Sequence, residues 1–299
     1  MKQNEILYSI LSEIKRRMLS EGGLADHIEG EYRPDATAWG VLAFKAYGKD
    51  ERTVQQLQAR LAEKQPDDGR VCISQKHPDA FWPSSIAILA WNGSTNHVDN
   101  QKKAVDFLIH TSGRHLKRKP DSPGAHDTSL RGWPWVENTF SWVEPTALAL
   151  IALRTTGYEK HPRAIEAVTL LIDRQLPKGG WNYGNTIVYG NELHPMPGPT
   201  GIALQALAGL VPRKQIEKSL NNLKTTVEKL YTPFALGWSL LGLSAWNERP
   251  AGAKELIRSS LERQKRYGLY STSLLSLLVL ASICENGLLK QDVLVKSKT

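Results

Sequence analysis

The chain has 299 residues, a formal charge of +8 and only two cysteines. Cys72 and Cys284 cannot build a disulfide framework and sit in no CxxC pair, so a reducing, cytoplasmic setting is expected. The basic balance comes with no recognisable nucleic-acid module; scattered lysines solvate outer helices, and a phosphate-bearing ligand or peripheral contact with an anionic membrane is the partner that balance would serve.

The first predicted element is an amphipathic helix, with Ile6, Ile10, Ile14 and Met18 on one stripe against Lys15, Arg16 and Arg17. After it comes DATAWGVLAF from Asp35, which is apolar on nearly every side. The alternation then recurs. Val54, Leu57 and Leu61 precede PSSIAILAW from Pro83, and Ala104, Phe107 and Leu108 precede EPTALALIAL from Glu144. Ile165, Val168 and Ile172 precede GPTGIALQAL from Gly198. Ile216, Leu220, Leu223 and Val227 precede FALGWSLLGL from Phe234, and Leu256 with Leu261 precedes YSTSLLSLLVL from Tyr270. Aligned on their ends, the apolar runs share the anchors Thr37, Ser84, Thr146, Thr200, Leu236 and Ser273. Their uneven spacing is that of an irregular helical repeat array.

A helix that is apolar all round must be covered on both faces. Lipid is excluded as the cover, because the longest polar-poor stretch, Ser271 to Cys284, falls short of the roughly 20 residues a bilayer span needs. Six striped and six apolar helices in alternation predict two concentric rings, an (α/α)6 toroid. No Ser/Gly/Pro-rich linker divides the chain, so one domain is expected over residues 1–299, ending in the polar tail QDVLVKSKT. No apolar stretch of the signal-peptide kind follows the first lysine, and no secretory signal is expected.

The turns between striped and apolar helices carry glycines suited to left-handed helix caps, most fully in QLPKGGWNYGN over residues 175–185. Weaker copies surround Gly23, Gly69, Gly132 and Gly268. The connection over residues 111–143 is far longer than the ~15 residues of an ordinary loop, which suggests a lid or a binding loop. A second extension, NYGNTIVYGNELHPMPGPT, leads into the fourth apolar helix, whereas repeats five and six have none. Function is therefore expected on one arc of one mouth.

Gln175, Gly180 and Trp181 resemble the QW repeat of the terpenoid cyclase and protein prenyltransferase superfamily, and the six helix pairs resemble its α/α toroid as far as Cys284. Asp35-Ala36-Thr37-Ala38 is similar to the Asp-Cys-Thr-Ala stretch of oxidosqualene cyclases, and less fully to the Asp-x-Asp-Asp-Thr-Ala stretch of squalene-hopene and class II diterpene cyclases. The resemblance implies that Asp35 is the acid that protonates an alkene or epoxide. It also marks a departure: Arg33 and Ala36 stand where the longer motif has its other two acids.

From the residues themselves, Asp35 is either a first-turn acid capping its helix or, inside a dry cavity, a proton donor. The helix dipole favours its anion by roughly 0.3 to 1 kcal/mol. Full burial opposes this by up to about 3 to 5 pKa units. Glu144 holds the same offset from Thr146 that Asp35 holds from Thr37, giving a possible acid and base pair. Trp39 lies one turn beyond Asp35, and Trp82, Trp133, Trp135, Phe140, Trp142, Trp181, Tyr183 and Trp238 gather at the same ends of the repeats. Such aromatics either fill a core or sheathe a cation; Asn185 joins them as a binding residue. His126 and Asp127 could move protons and Arg131 could hold a phosphate, or Asp127 simply opens a turn while Arg114, Lys117, Arg118 and Lys119 are solvated.

No Asp-Asp-x-x-Asp motif is present, since Asp67-Asp68 is followed by Gly-Arg-Val, and no Asp/Cys/His set matches the zinc ligands of prenyltransferases. Neither a metal nor a cofactor is expected. The sequence thus points to protonation-initiated cyclisation of an isoprenoid in an aromatic cavity. Its alternatives are a non-catalytic toroid binding a lipid, glycan or peptide, and a carboxylate-based glycan-processing enzyme.

Overall fold

The computed structural model describes residues 3–117 and 126–290; Arg118, Lys119 and the QDVLVKSKT tail lie outside the described residues. The elements are α1 (Gln3–Lys15), α2 (Pro34–Tyr47), α3 (Glu51–Glu63), α4 (Pro83–Trp91), α5 (Val98–His110), α6 (Val143–Thr155) and α7 (Pro162–Asp173). Then follow a two-residue hairpin, β1 (Ile187–Val188) with β2 (Asn191–Glu192), and α8 (Pro197–Leu207), α9 (Arg213–Thr226), α10 (Pro233–Ala245), α11 (Ala253–Glu262), α12 (Gln264–Tyr267) and α13 (Thr272–Ile283). Helices α2, α4, α6, α8, α10 and α13 pack each on the next, and α13 returns to α2, closing an inner ring. Helices α1, α3, α5, α7, α9 and α11 form the outer ring, so the expected (α/α)6 toroid is the observed fold.

The inner helices share a local start. Proline occupies the first turn of α2, α4, α8 and α10, where its missing N–H is not needed and its fixed φ suits the helix. The repeated Thr/Ser is a clamp on the preceding turn. Thr37 Oγ1 accepts the Leu24 N–H at 2.9 Å, Ser84 Oγ accepts that of Val71 at 2.8 Å, and Thr146 and Thr200 accept those of Trp133 and Trp181, each at 3.0 Å. Every one of these donors is buried and would cost about 1 to 3 kcal/mol if left unpaired. The glycine before the tryptophan is equally constrained: a Cβ on Gly132 would collide with Thr146 Oγ1, and Gly180 has a φ of +82°.

Three expectations shift in three dimensions. The last repeat lacks this clamp: Thr272 reaches the first turn instead of its own, its hydroxyl donating to the Ala25 carbonyl at 2.6 Å, and Ser273 faces the axis. Arg17 leaves the solvent face and becomes the clasp of the ring: its Nη1 donates to Asp26 O at 2.9 Å and Thr272 Oγ1 at 3.2 Å, and its Nη2 to Glu13 at 2.6 Å. Ile165 is exposed, because α7 turns Ala164, Ala167, Leu170 and Leu171 inward instead.

Candidate active site

All six inner helices begin at one end of the toroid, and their first turns enclose an axial pocket of about 230 Å³. Asp35, Trp39, Trp82, Trp135, Glu144 and Trp238 line it together with Asp26, Ser271 and Ser273. Leu148, Ile202, Phe234, Leu274 and Leu277 complete the wall. The tryptophans are ordered in pairs: Trp39 meets Trp238 edge-on with centroids 5.8 Å apart, and Trp82 meets Trp135 at 5.3 Å. Edge-to-face pairing of this kind fixes the rings and turns electron-rich faces toward other partners.

The two acids differ in their surroundings. Both Asp35 oxygens accept from Arg33, at 2.8 Å from Nε and 2.8 Å from Nη2, and this pairing holds the Arg33 guanidinium above its ordinary pKa. Asp35 makes no side-chain cap to its own helix, so the capping role expected of it is replaced by an ion pair. Arg33, standing where the longer cyclase motif has an acid, is the reason. Glu144 is buried, no group pairs with its Oε1, and burial pushes its pKa up to about 7. It sits in the first turn of α6, where the helix dipole favours the anion by at most about 1 kcal/mol; desolvation outweighs that.

The remaining sequence candidates lie elsewhere. Trp133 and Trp181 are core residues: their indole N–H groups donate to Leu108 O at 2.9 Å and Leu171 O at 2.6 Å, pinning each turn to its outer helix. Arg131 pairs with Glu166 on the outer wall at 3.2 Å, while Arg163 stacks on the Trp133 ring. Asp127 does open a turn, its Oδ1 accepting from Ser129 N and Oγ, and its own N–H is held by Asp173 at 2.8 Å. Tyr183 is exposed on the rim. His126, Trp142 and Asn185 line a separate lateral pocket of about 240 Å³ beside α6, where burial and the Arg174 guanidinium lower the His126 pKa to about 4. A larger cavity of about 540 Å³ opens between the first two turns, but Arg60, Lys64, Arg70 and Lys76 in its wall each face a carboxylate within 4.0 Å.

Sequence reading missed Asp26, Phe234, Ser273 and the aliphatic wall of the axial pocket. Phe234 stands two residues before the anchor Leu236, the offset that Asp35 and Glu144 hold from theirs, and Ser273 is itself an anchor, which is the signal that could have found them. Among the described residues no group of three or more His, Cys, Asp or Glu side chains could hold a metal, and no helix is long and apolar enough to cross a membrane.

No protein-family model matches the chain, and no curated protein matches it. Solved structures do. An inactive variant of the α-1,6-mannanase GH76A of Salegentibacter sp. HEL1_6, in complex with α-1,6-mannotriose, aligns at TM-score 0.66 and 12% identity over 95% of this chain and 99% of that one. A family 76 glycoside hydrolase from a bovine Bacteroides thetaiotaomicron strain aligns at 0.63 and 14% identity over 95% of this chain and 78% of that one. A variant of the type II terpene cyclase MstE from Scytonema, with geranylgeranyl dihydroxybenzoate bound, aligns at 0.61 and 12% identity over 94% and 95% of the respective chains. At such identities the likeness fixes architecture alone: the chain is an (α/α)6 toroid, built on the plan of both the mannanases and the terpene cyclase.

Proposed function

We propose that the axial pocket is an acid-catalytic site in which Glu144 delivers a proton to a small molecule and the four tryptophans stabilise the cation that forms. The observation that carries this reading is Glu144 itself: a buried carboxyl with a pKa of about 7 and an unpartnered oxygen, beside an aspartate whose oxygens are both engaged by arginine. Two carboxyl groups whose environments separate them in this way divide the roles of acid and base. The roles are reversed from those implied by the cyclase resemblance. Both Asp35 oxygens are occupied by Arg33 N–H donors, whereas the Glu144 carboxyl has an unpartnered oxygen and a pKa pushed up to about 7 by burial.

An isoprenoid is the substrate class we favour, because four tryptophans with Leu148, Ile202, Phe234, Leu274 and Leu277 make most of the wall apolar, while Asp26, Asp35, Glu144, Ser271 and Ser273 supply its polar part. The Glu144 O–H bond breaks as the π pair of an alkene takes the proton, leaving a tertiary carbocation. Trp39, Trp82, Trp135 and Trp238 face that charge, each worth about 2 kcal/mol or more when water is excluded. Attack by the next alkene closes a ring, and Asp35, fixed by Arg33, accepts the proton lost at the end. Glycan hydrolysis is the second reading and draws equal support from the neighbours, among them the mannotriose-bound mannanase. The same split pair could protonate a glycosidic oxygen and activate water, with tryptophan faces under the oxocarbenium ion.

Incubation with squalene, geranylgeranyl diphosphate and α-1,6-mannotriose, followed by mass and chromatographic analysis, separates the readings. A cyclised product of unchanged mass supports the first, and shortened mannosides support the second. Undiminished turnover in Glu144→Gln would overturn both.

A further inference from the structure

The mouth of the toroid has an amphipathic rim. Thirteen large hydrophobic side chains are exposed among the described residues, and ten of them lie in the turns that lead into inner helices, as Phe140, Tyr183, Met196, Tyr231 and Leu269 illustrate. Outer helices and the turns at the far end supply only three. Clustering of this kind on one face marks an interaction surface, whereas single exposed apolar residues do not.

Charge divides the same rim into two arcs. The turns into α2 and α4 carry six exposed carboxylates, Glu31 and Asp67 among them, against three exposed Lys or Arg. In the described residues of the turns into α6, α8, α10 and α13 the balance inverts: seven exposed cations, including Lys178 and Arg266, against two carboxylates. Nine of the ten exposed rim hydrophobics fall on this cationic arc. Arg263 there lies over the rings of Tyr231 and Tyr267, at 4.7 and 4.8 Å, so cations and aromatics interleave.

The hairpin β1–β2 stands on that arc, and its tip is Tyr189-Gly190. Both residues have positive φ, +50° and +79°, as a two-residue turn of the primed type requires. Asparagine is the residue that suits the first position; tyrosine there is strained. Yet Tyr189 is 99% exposed and gains nothing from packing. Local stability has been given up for an aromatic ring at the most projecting point of the rim.

We propose that the arc formed by repeats three to six docks on an anionic lipid bilayer, with Tyr189 entering the headgroup layer and the cations meeting lipid phosphates. Tyrosine is suited to that layer by its apolar ring and polar tip. Basic residues near such a surface each contribute about 1 kcal/mol, or roughly fivefold in binding. The acidic arc tilts away. Docking in this pose presents the axial pocket to the bilayer, the natural source of an isoprenoid. Docking does not depend on the reaction in the pocket, and bound protein, not turnover, reports it.

The test is co-sedimentation of the full chain with vesicles of phosphatidylcholine alone and of phosphatidylcholine mixed with phosphatidylglycerol. Binding to the mixed vesicles that weakens with salt and with neutral lipid is the expected result. Tyr189→Asn, which relieves the turn, should lower binding while leaving the melting temperature unchanged or raised. Lys178→Gln and Arg266→Gln should each lower it by roughly fivefold, and Glu31→Gln should not. Absence of binding to mixed vesicles, or full binding by Tyr189→Asn, would overturn the proposal. So would a concentration-dependent dimer that Tyr189→Asn dissolves, since the rim would then be a contact between two copies of the chain.

Discussion

Glu144 makes a measurable demand on stability. Its carboxyl has a pKa of about 7 in the fold against an ordinary 4.5. Between those values the folded chain binds more protons than the unfolded one, so stability falls as pH rises through this window and is level on either side of it. Once both states are ionised, the buried anion costs about 3 kcal/mol. Glu144→Gln keeps the shape and removes the titration. Urea denaturation of both proteins at about pH 5 and about pH 8.5 should show the variant gaining about 2 to 3 kcal/mol on the wild type between the two conditions. Every other titrating group cancels in that comparison. A difference between the two proteins that stays constant with pH would refute the argument that burial keeps this acid protonated, and the proposed proton donor would go with it.

Arg17→Met removes the clasp between α1, the first turn and α13; leaving Glu13 and two acceptors without their partner should cost about 3 to 5 kcal/mol in urea denaturation. Thr146→Val is close to isosteric but leaves the buried Trp133 N–H unpaired, so a loss of about 1 to 3 kcal/mol is expected and an unchanged midpoint would contradict the clamp. Arg33→Met frees both Asp35 oxygens in a partly exposed site, which should destabilise by about 1 to 3 kcal/mol and lower turnover more than substrate binding. His126, with a pKa of about 4, should remain neutral in an NMR titration down to about pH 5, and stability should fall as pH drops from about 6.5 toward 4, a slope that His126→Gln removes.

The architecture follows from the order of apolar and striped segments along the chain. An apolar run such as Pro83 to Trp91 has no face fit for water, and a striped partner precedes each such run, so two nested rings follow from burial alone. The repeated hydroxyl at Thr37, Ser84, Thr146 and Thr200 was visible as a pattern, although its task, holding one N–H of the preceding turn, needed coordinates. Asp35, Trp39, Glu144 and Trp238 were legible as a group because each lies two residues before or after its repeat anchor, in helices that all start at one level. Trp133 and Trp181 stand in the turns, well before the anchors Thr146 and Thr200, and there an outer-helix carbonyl draws each indole into the core, a contact that needed coordinates. The contrast between the two carboxyls arises only on folding. Arg33 engages both oxygens of its near neighbour Asp35, whereas apolar side chains from helices far away in the chain bury Glu144 and push its pKa up to about 7, because burial disfavours the charged form.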